Sequence, residues 1–468
     1  MRKTKPEYVE RIQIVDFSDK GMSIGKAPDG RVILMENLVP GDIVDGLIIR
    51  KTKGMPYALT KRIVEESTKR IEPECKHFGQ CGGCKIQHIQ YKEQLILKQN
   101  SVLNALQRIG KIEVEEILPI FPAETPFFYR NKLEFTFSNK RWLTQDEVTS
   151  EDQDIQRNAW GFHKPGLFDK IIDIEFCHLQ AEPSNIIRNK VREYCLSNDY
   201  DFYDLRNHGG LMRSMMVKVS SLGEVMVLIQ FGRNDEQKIL DLLNFMVADL
   251  PKINSLYYVV NTKANDYFYD LELTHFHGEP HIMDKLGEVV FKIGPKSFFQ
   301  TNTKQANNLF DTVVDFAEFQ GNEIVYDLYT GLGSIALYIA SKVKSVVGIE
   351  EIEAAIQDAN INAANNNITN AEFYAGDVKN ILTPEFALKH GRPDILITDP
   401  PRAGMHEQVT QYLLDLAAPK IVYVSCNPAT QARDLQLLSP KYRVLKSRAV
   451  DMFPHTHHIE NVVLLALK

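Results

Sequence analysis

Four short apolar runs in the last third of the chain constrain its fold more than any other feature. Glu323–Leu328, Ser345–Ile349, Ile395–Thr398 and Ile421–Ser425 are each separated from the next by helical apolar spacing. Near-continuous apolar strands that alternate with helices form a parallel sheet covered on both faces, a doubly wound α/β fold. Such sheets bind ligands beyond the carboxyl ends of their strands. The residues that close each run are therefore the ones to read for chemistry.

The first run ends in Val325-Tyr-Asp327-Leu-Tyr329-Thr-Gly331-Leu-Gly333-Ser334 and passes into a helix. Glycines at a strand-to-helix turn let a nucleotide-like ligand approach the backbone. The second run ends at Glu350, at the distance where a carboxylate holds ribose hydroxyls. Asp377, in Tyr-Ala-Gly-Asp, follows the third strand. The longer Gly-x-Gly-x-x-Gly pattern of dinucleotide sites is missing, so the adenosine of S-adenosylmethionine fits better than NAD. The run Ile395–Thr398 leads into Asp399-Pro-Pro-Arg402, where an amine-directed enzyme would carry an aromatic residue in place of the arginine.

The run Ile421–Ser425 ends in Val424-Ser-Cys426-Asn-Pro428. A free cysteine is most often a core residue, but Asn-Pro breaks the strand here and favours a crevice-facing thiol. Phe453-Pro-His455-Thr-His457-His458-Ile-Glu460 then precedes a last apolar run. The spacing of its histidines favours capping and hydrogen bonding over metal ligation. Cys426 and Glu460 together suit one chemical problem. Uracil C5 is too weakly nucleophilic to accept a methyl group until a thiolate adds to C6. A base must then remove the C5 proton so that the cysteine can leave.

Three further cysteines crowd into Cys75-Lys-His-Phe-Gly-Gln-Cys81-Gly-Gly-Cys84. In a chain without a disulfide-scaffold character this indicates a metal site. Cys177 is the better fourth ligand, because Cys195 has the helical spacing of a core residue. Four thiolates suit either a [4Fe–4S] cluster or structural zinc; the Cys-x₅-Cys step favours iron–sulfur on spacing. A redox-active Cys81/Cys84 pair is a third reading, weakened by Cys75.

Upstream, residues 7–66 read as short strands broken by Gly21, Gly25, Asp29-Gly30 and Pro40-Gly41, the pattern of a small oligonucleotide-binding barrel. Lys20, Lys26, Arg50, Lys51 and Lys53 lie near its loops. The whole chain carries 54 Lys+Arg against 61 Asp+Glu, a net charge of −7. Residues 1–140 reverse that balance with 23 against 18, so a polyanion can meet one end of an acidic body. No secretory signal or membrane-spanning run is visible, and the cytoplasm is expected.

These motifs place the chain in resemblance to a known family. Ser297-Phe-Phe-Gln-Thr-Asn302, Asp399-Pro-Pro-Arg, Val-Ser-Cys426-Asn-Pro-Ala-Thr and His-Thr-x-His-Ile-Glu460 resemble the RNA (uracil-5-)-methyltransferases. Residues 7–66 resemble a TRAM domain, and the cysteine array resembles the cluster-bearing branch that modifies 23S ribosomal RNA. The resemblance implies Cys426 as nucleophile and Glu460 as base. It implies S-adenosylmethionine contacts from Gln300, Tyr329, Ser334, Glu350, Asp377 and Asp399, and a [4Fe–4S] cluster on Cys75, Cys81, Cys84 and Cys177. Phe298 is a candidate to stack on the flipped uracil, and Arg130 and Lys132 are candidates for the RNA backbone. Tyr329-Thr330 and Ser334 depart mildly from the family pattern, at positions where relatives often carry Phe-Cys and Asn.

The expected organisation is a TRAM-like barrel over 1–66, a central α+β iron–sulfur domain over 67–296 and a Rossmann-like methyltransferase domain over 297–468. A helical segment at about 91–124 is expected to pack on the last of these, and 140–160 to be a surface insertion. The expected partner is 23S ribosomal RNA, with no membrane, and the chain is expected to be a monomer. Competing readings are the same chemistry on transfer RNA, or a non-catalytic RNA-binding or ribosome-assembly protein.

Overall fold

The computed structural model describes residues 6–18, 21–52, 54–150 and 155–468. Lys20, Lys53 and residues 151–154 of the insertion lie outside the described residues.

Five strands close the amino-terminal barrel in the order Glu7–Phe17, Ser23–Lys26, Val32–Met35, Met55–Glu65, Ile43–Thr52. Alternate residues turn Ile12, Ile14, Ile33, Met35 and Val44 into its core. Gly25 permits the strand crossing, since a Cβ there would lie 2.5 Å from Cγ2 of Ile12. The central part is a sheet of seven strands, from Thr274–Gly278 at one edge to Ile171–Asp173 at the other. Helices Ser184–Ser197 and Glu236–Asp249 bury Ile187, Val191, Cys195, Ile239 and Leu243 against it. Cys195 is a fully buried core residue.

The four apolar runs form the parallel centre of an eight-stranded sheet. Its order is Ala371–Ala375, Ser345–Glu350, Ile324–Leu328, Ile395–Thr398, Lys420–Ser425, Glu460–Leu467, Tyr442–Val450, Val114–Phe121. The strand order reverses between Leu328 and Thr398, which opens a ligand crevice beyond their carboxyl ends. Segment 91–124 is not helical throughout. A helix runs over Tyr91–Asn104 and tightens into a π-helical turn at Ala105–Gly110; Val114–Phe121 then adds a strand, parallel to Tyr442–Val450, at the sheet edge. Its β-branched and apolar residues, Val114, Ile117 and Ile120, suit an edge strand better than a helix.

The strand pair Tyr442–Val450 and Glu460–Leu467 is joined by a loop held from several distant parts of the chain. Lys98 and Asp451, both almost fully buried, pair at 2.5 Å, and Nζ of Lys98 also donates to the Phe453 carbonyl at 2.9 Å. Tyr91 donates its hydroxyl to the Asp451 carboxylate at 2.9 Å. The Asn302 and Gln305 amides donate to the Met452 and Asp451 carbonyls, and Tyr129 donates to Pro454. The His455 carbonyl accepts from the backbone N–H groups of Lys85 and Ile86, while its own N–H donates to Gln94. No helix among the described residues is long and apolar enough to cross a membrane.

A buried charge left without its partner is costly, whereas an apolar replacement of both is often nearly neutral. Lys98→Met should therefore cost about 3 kcal/mol, and Lys98→Met combined with Asp451→Leu should recover much of that loss. Urea midpoints followed by tryptophan fluorescence check the comparison.

Candidate active site

The loop after the first strand is built to hold a ligand against backbone. Tyr329 adopts a left-handed conformation with φ 64°, a strained state for a residue with a bulky side chain. Gly331 (φ 58°) and Gly333 (φ 82°) continue the turn, and a Cβ on Gly331 would meet nothing within 4 Å. Helix Ser334–Ile339 starts immediately after. Asp327, buried beneath the loop, accepts from the Thr330 hydroxyl at 2.5 Å and from the Ala336 N–H at 3.1 Å. Burial pushes its carboxyl up to about 7.

Glu350 accepts from the N–H groups of Gly331 at 3.1 Å and Ile352 at 3.0 Å, which joins the ends of the first two strands. Asp377 caps the short helix Val378–Ile381 and pairs with Lys379 at 2.7 Å; the lysine holds its carboxyl below the usual range. Glu350 and Asp377 lie close enough to Tyr329 that their charges, after burial, raise its phenol. These three residues and Ser334 therefore share one end of the sheet. Gln300 lies on a separate loop ahead of helix Thr303–Ala317, where Asn131 donates to its carbonyl at 2.8 Å.

Cys426 and Glu460 are brought together by register. The antiparallel ladder between their strands pairs Val424 with Val462 and Ser425 with Asn461. One step further sets Cys426 opposite Glu460, and directly opposed residues share a face. Glu460 is 5% exposed. Burial pushes the Cys426 thiol up to about 11, and the charges of Glu460 and Asp399 add to it. Burial and Asp399 likewise raise Glu460 well above the carboxylate range, and burial with Asp327 raises Asp399 to about 7. Arg402 opposes the rise at both Cys426 and Glu460. Its own loop is fixed by Asn427 and Thr430, which donate to the Arg402 carbonyl at 3.0 and 3.3 Å.

Cys426 opens into a cavity of about 540 Å³ walled by barrel residues Asp16 and Phe17, by the 97–109 face of the helical segment and by Arg402, Asn427 and His458. Burial and the neighbouring His457 and Arg402 charges press the imidazole of His458 down to about 3. His455 is held down to about 4, mainly by burial. Both are therefore neutral near pH 7. Phe298 does not line this cavity. It is 70% exposed and borders a smaller recess with Tyr269 and Lys132. Arg130 sits over the Phe453 ring at 5.5 Å, and Lys132 pairs with Glu134 at 2.9 Å.

Cys75, Cys81, Cys84 and Cys177 line a cavity of about 310 Å³, together with Arg130. The first three lie in an irregular segment and Cys177 in the loop ahead of helix Ser184–Ser197, its N–H donating to Asn185 at 2.8 Å. All four are free thiols. The Gly83 N–H donates to Sγ of Cys81 at 3.4 Å, and the Gln87 amide to Sγ of Cys84 at 3.8 Å. Among the described residues, no three His, Cys, Asp or Glu side chains converge on a point that would hold a single metal ion.

Sequence reasoning used Arg402 only to exclude amine chemistry and overlooked Asp327. Both stand at carboxyl ends of parallel strands, and that position was the available signal.

The sheet order and glycine turn define an S-adenosylmethionine-dependent methyltransferase fold, preceded by a β-barrel. A family model for tRNA (uracil-5-)-methyltransferase matches residues 278–468. Uncharacterised RNA methyltransferases of Bacteroides thetaiotaomicron and Porphyromonas gingivalis are 50% and 49% identical. They align over 96% and 97% of this chain and 99% of each relative. The crystal structure of Pyrococcus abyssi tRNA (uracil-54, C5)-methyltransferase in complex with S-adenosyl-L-homocysteine superposes with a TM-score of 0.76. It is 28% identical and covers 97% of this chain and 100% of that one. The chain belongs to the RNA (uracil-5-)-methyltransferase family and is a methyltransferase enzyme.

The charges around the thiol set its titration. Iodoacetamide labelling of Cys426, followed by peptide mass spectrometry, should rise with pH towards a midpoint near 11. Arg402→Ala removes the lowering charge and moves that midpoint up; Glu460→Gln removes a raising charge and moves it down.

Proposed function

We propose that this enzyme methylates C5 of a specific uridine in 23S ribosomal RNA, with Cys426 as nucleophile and Glu460 as base. The observation that carries the chemistry is the opposition of these two residues across adjacent strands, with Cys426 at the wall of the cavity. S-adenosylmethionine, when bound, supplies an electrophilic methyl group. Tyr329, Ser334, Glu350, Asp377 and Asp399, with Gln300 from the neighbouring loop, are the residues proposed to hold it.

The thiol of Cys426 gives its proton to solvent in the open cavity and its sulfur adds to uracil C6, which makes C5 enolate-like. C5 then takes the methyl group, whose bond to the sulfonium sulfur breaks with its electron pair staying on sulfur, leaving S-adenosylhomocysteine. Glu460, ionised, accepts the C5 proton, and the electron pair of that C–H bond re-forms the C5–C6 double bond as the cysteine leaves. Two carboxyls and a thiol crowded in one buried site resist simultaneous ionisation. Arg402 is the cation placed to favour the thiolate and the carboxylate in turn.

Phe298, Arg130 and Lys132 are assigned to RNA outside the reacting cavity. The barrel is proposed to act as a TRAM-type RNA module. Cys75, Cys81, Cys84 and Cys177 are proposed to hold a [4Fe–4S] cluster that fixes the central part of the chain and takes no part in the transfer. The donor set supports this reading: four free thiols around one cavity, two of them accepting N–H donors.

The cysteine array is what favours ribosomal RNA. A barrel and central domain cannot by themselves exclude transfer RNA, because the Pyrococcus abyssi enzyme named for transfer RNA aligns over the whole of its length. Transfer RNA is therefore the second reading, and mapping 5-methyluridine in both RNAs from a strain lacking the gene decides between them. RNA tritiated at uracil C5 should release tritium with the wild type and none with Cys426→Ala. Glu460→Gln should retain RNA covalently, because addition proceeds without elimination. Anaerobic purification should yield a brown protein with about four irons per chain; zinc without iron would refute the cluster.

A further inference from the structure

The cavity at Cys426 extends well beyond the thiol. Cys426, Asn427, His458 and Arg402 line the part of it that holds the thiol. The remainder runs between the barrel and the helical segment, with Phe17, Ile86, Leu97 and Ile109 as apolar walls and Asp16, Ser101, Asn104 and Arg108 as polar groups. Phe17 packs against the small buried cluster of Val39, Ile86 and Ile89, which fixes its base. Arg108 lies in the π-helical turn Ala105–Gly110 and is exposed. Among the described residues it makes no ion pair.

The wall is rigid. The π-helical turn meets the helix Pro428–Leu438 that starts just after Cys426, and a Cβ on Gly110 would lie 2.8 Å from the Ala432 carbonyl. π-Turns inside helices often mark functional positions. Here the turn carries Arg108 onto the lining of the cavity. An aromatic wall, hydrogen-bonding amide and hydroxyl groups and an uncommitted arginine on one concave surface match an unpaired nucleotide. The Asp16 carboxylate accepts the Phe17 N–H at 2.8 Å and forms no ion pair with Arg108 among the described residues.

We infer that the barrel-facing half of the cavity is a second-nucleotide subsite, which takes the base adjacent to the target uridine between Phe17 and the 97–109 helix face and its phosphate on Arg108. The target base is then read together with a neighbour in the same strand, and the barrel contributes a wall of the reacting site. This inference rests on the uridine reading above.

The test compares the trinucleotide UpUpU with its analogue in which only the middle residue carries a base, each titrated calorimetrically into enzyme saturated with S-adenosylhomocysteine. Wild type and Arg108→Lys should bind UpUpU about tenfold more tightly than the analogue, the value of about one stacked base. Phe17→Ala should lose that margin, and Arg108→Ala should weaken both ligands, with S-adenosylhomocysteine affinity unchanged in every variant. Equal affinities in wild type, or a margin that survives Phe17→Ala, would overturn the subsite. The uridine reading has its own readout: if the wild type forms no 5-methyluridine in unmodified cellular RNA, that reading falls, whereas loss of the margin alone leaves it standing.

Discussion

One buried carboxylate, Asp451, is the point on which the site depends. It receives Lys98 at 2.5 Å and Tyr91 at 2.9 Å, both from the helix that precedes the edge strand of the sheet. The same loop is held from the central domain by Tyr129 and from the cysteine-bearing segment through the His455 carbonyl. Glu460 begins the strand that leaves this loop. Its position opposite Cys426 is thus fixed by contacts from parts of the chain more than 300 residues upstream. A buried pair of this kind stabilises little in net terms, because desolvation offsets the attraction. Its effect is to select one arrangement of the loop.

The second constraint is electrostatic. Asp327, Asp399 and Glu460 all carry raised carboxyl values, and Cys426 a raised thiol. Burial is the first cause in each case. A site that resists negative charge keeps the Cys426 thiol protonated, which suits the proposed reaction, in which a thiolate must form, add and leave. Arg402 is the cation the chain itself provides. The arginine that rules out amine-directed stacking is the same residue that moderates the thiol, so one substitution in the strand-end motif changes both base chemistry and acid–base balance.

Much of this was legible in the sequence because parallel strands announce themselves. The apolar runs located Tyr329, Glu350, Asp377, Asp399 and Cys426 at strand ends, and strand ends in such sheets face ligand. Cys75, Cys81, Cys84 and Cys177, grouped by their spacing, line one cavity, and the helical spacing around Cys195 set that residue apart. Other features were not legible. Val114–Phe121 joins the sheet as an edge strand, although it lies far from the other strands in sequence and follows directly on a helix. Phe298 borders a recess of its own, because the orientation of an exposed ring on a loop depends on what packs beside it. Arg130 turns towards the cysteine cavity for the same reason.

The sequence by itself determined the doubly wound sheet, the residues at its ligand end and the two kinds of cysteine, since these follow from local periodicity and from the chemistry of side chains close together in the chain. Tertiary structure alone decided that Cys426 stands opposite Glu460, that Arg402 serves both, and that barrel and helix wall the same cavity. Register between strands and contacts across hundreds of residues are set by packing, and packing energy is a property of the folded whole rather than of any segment.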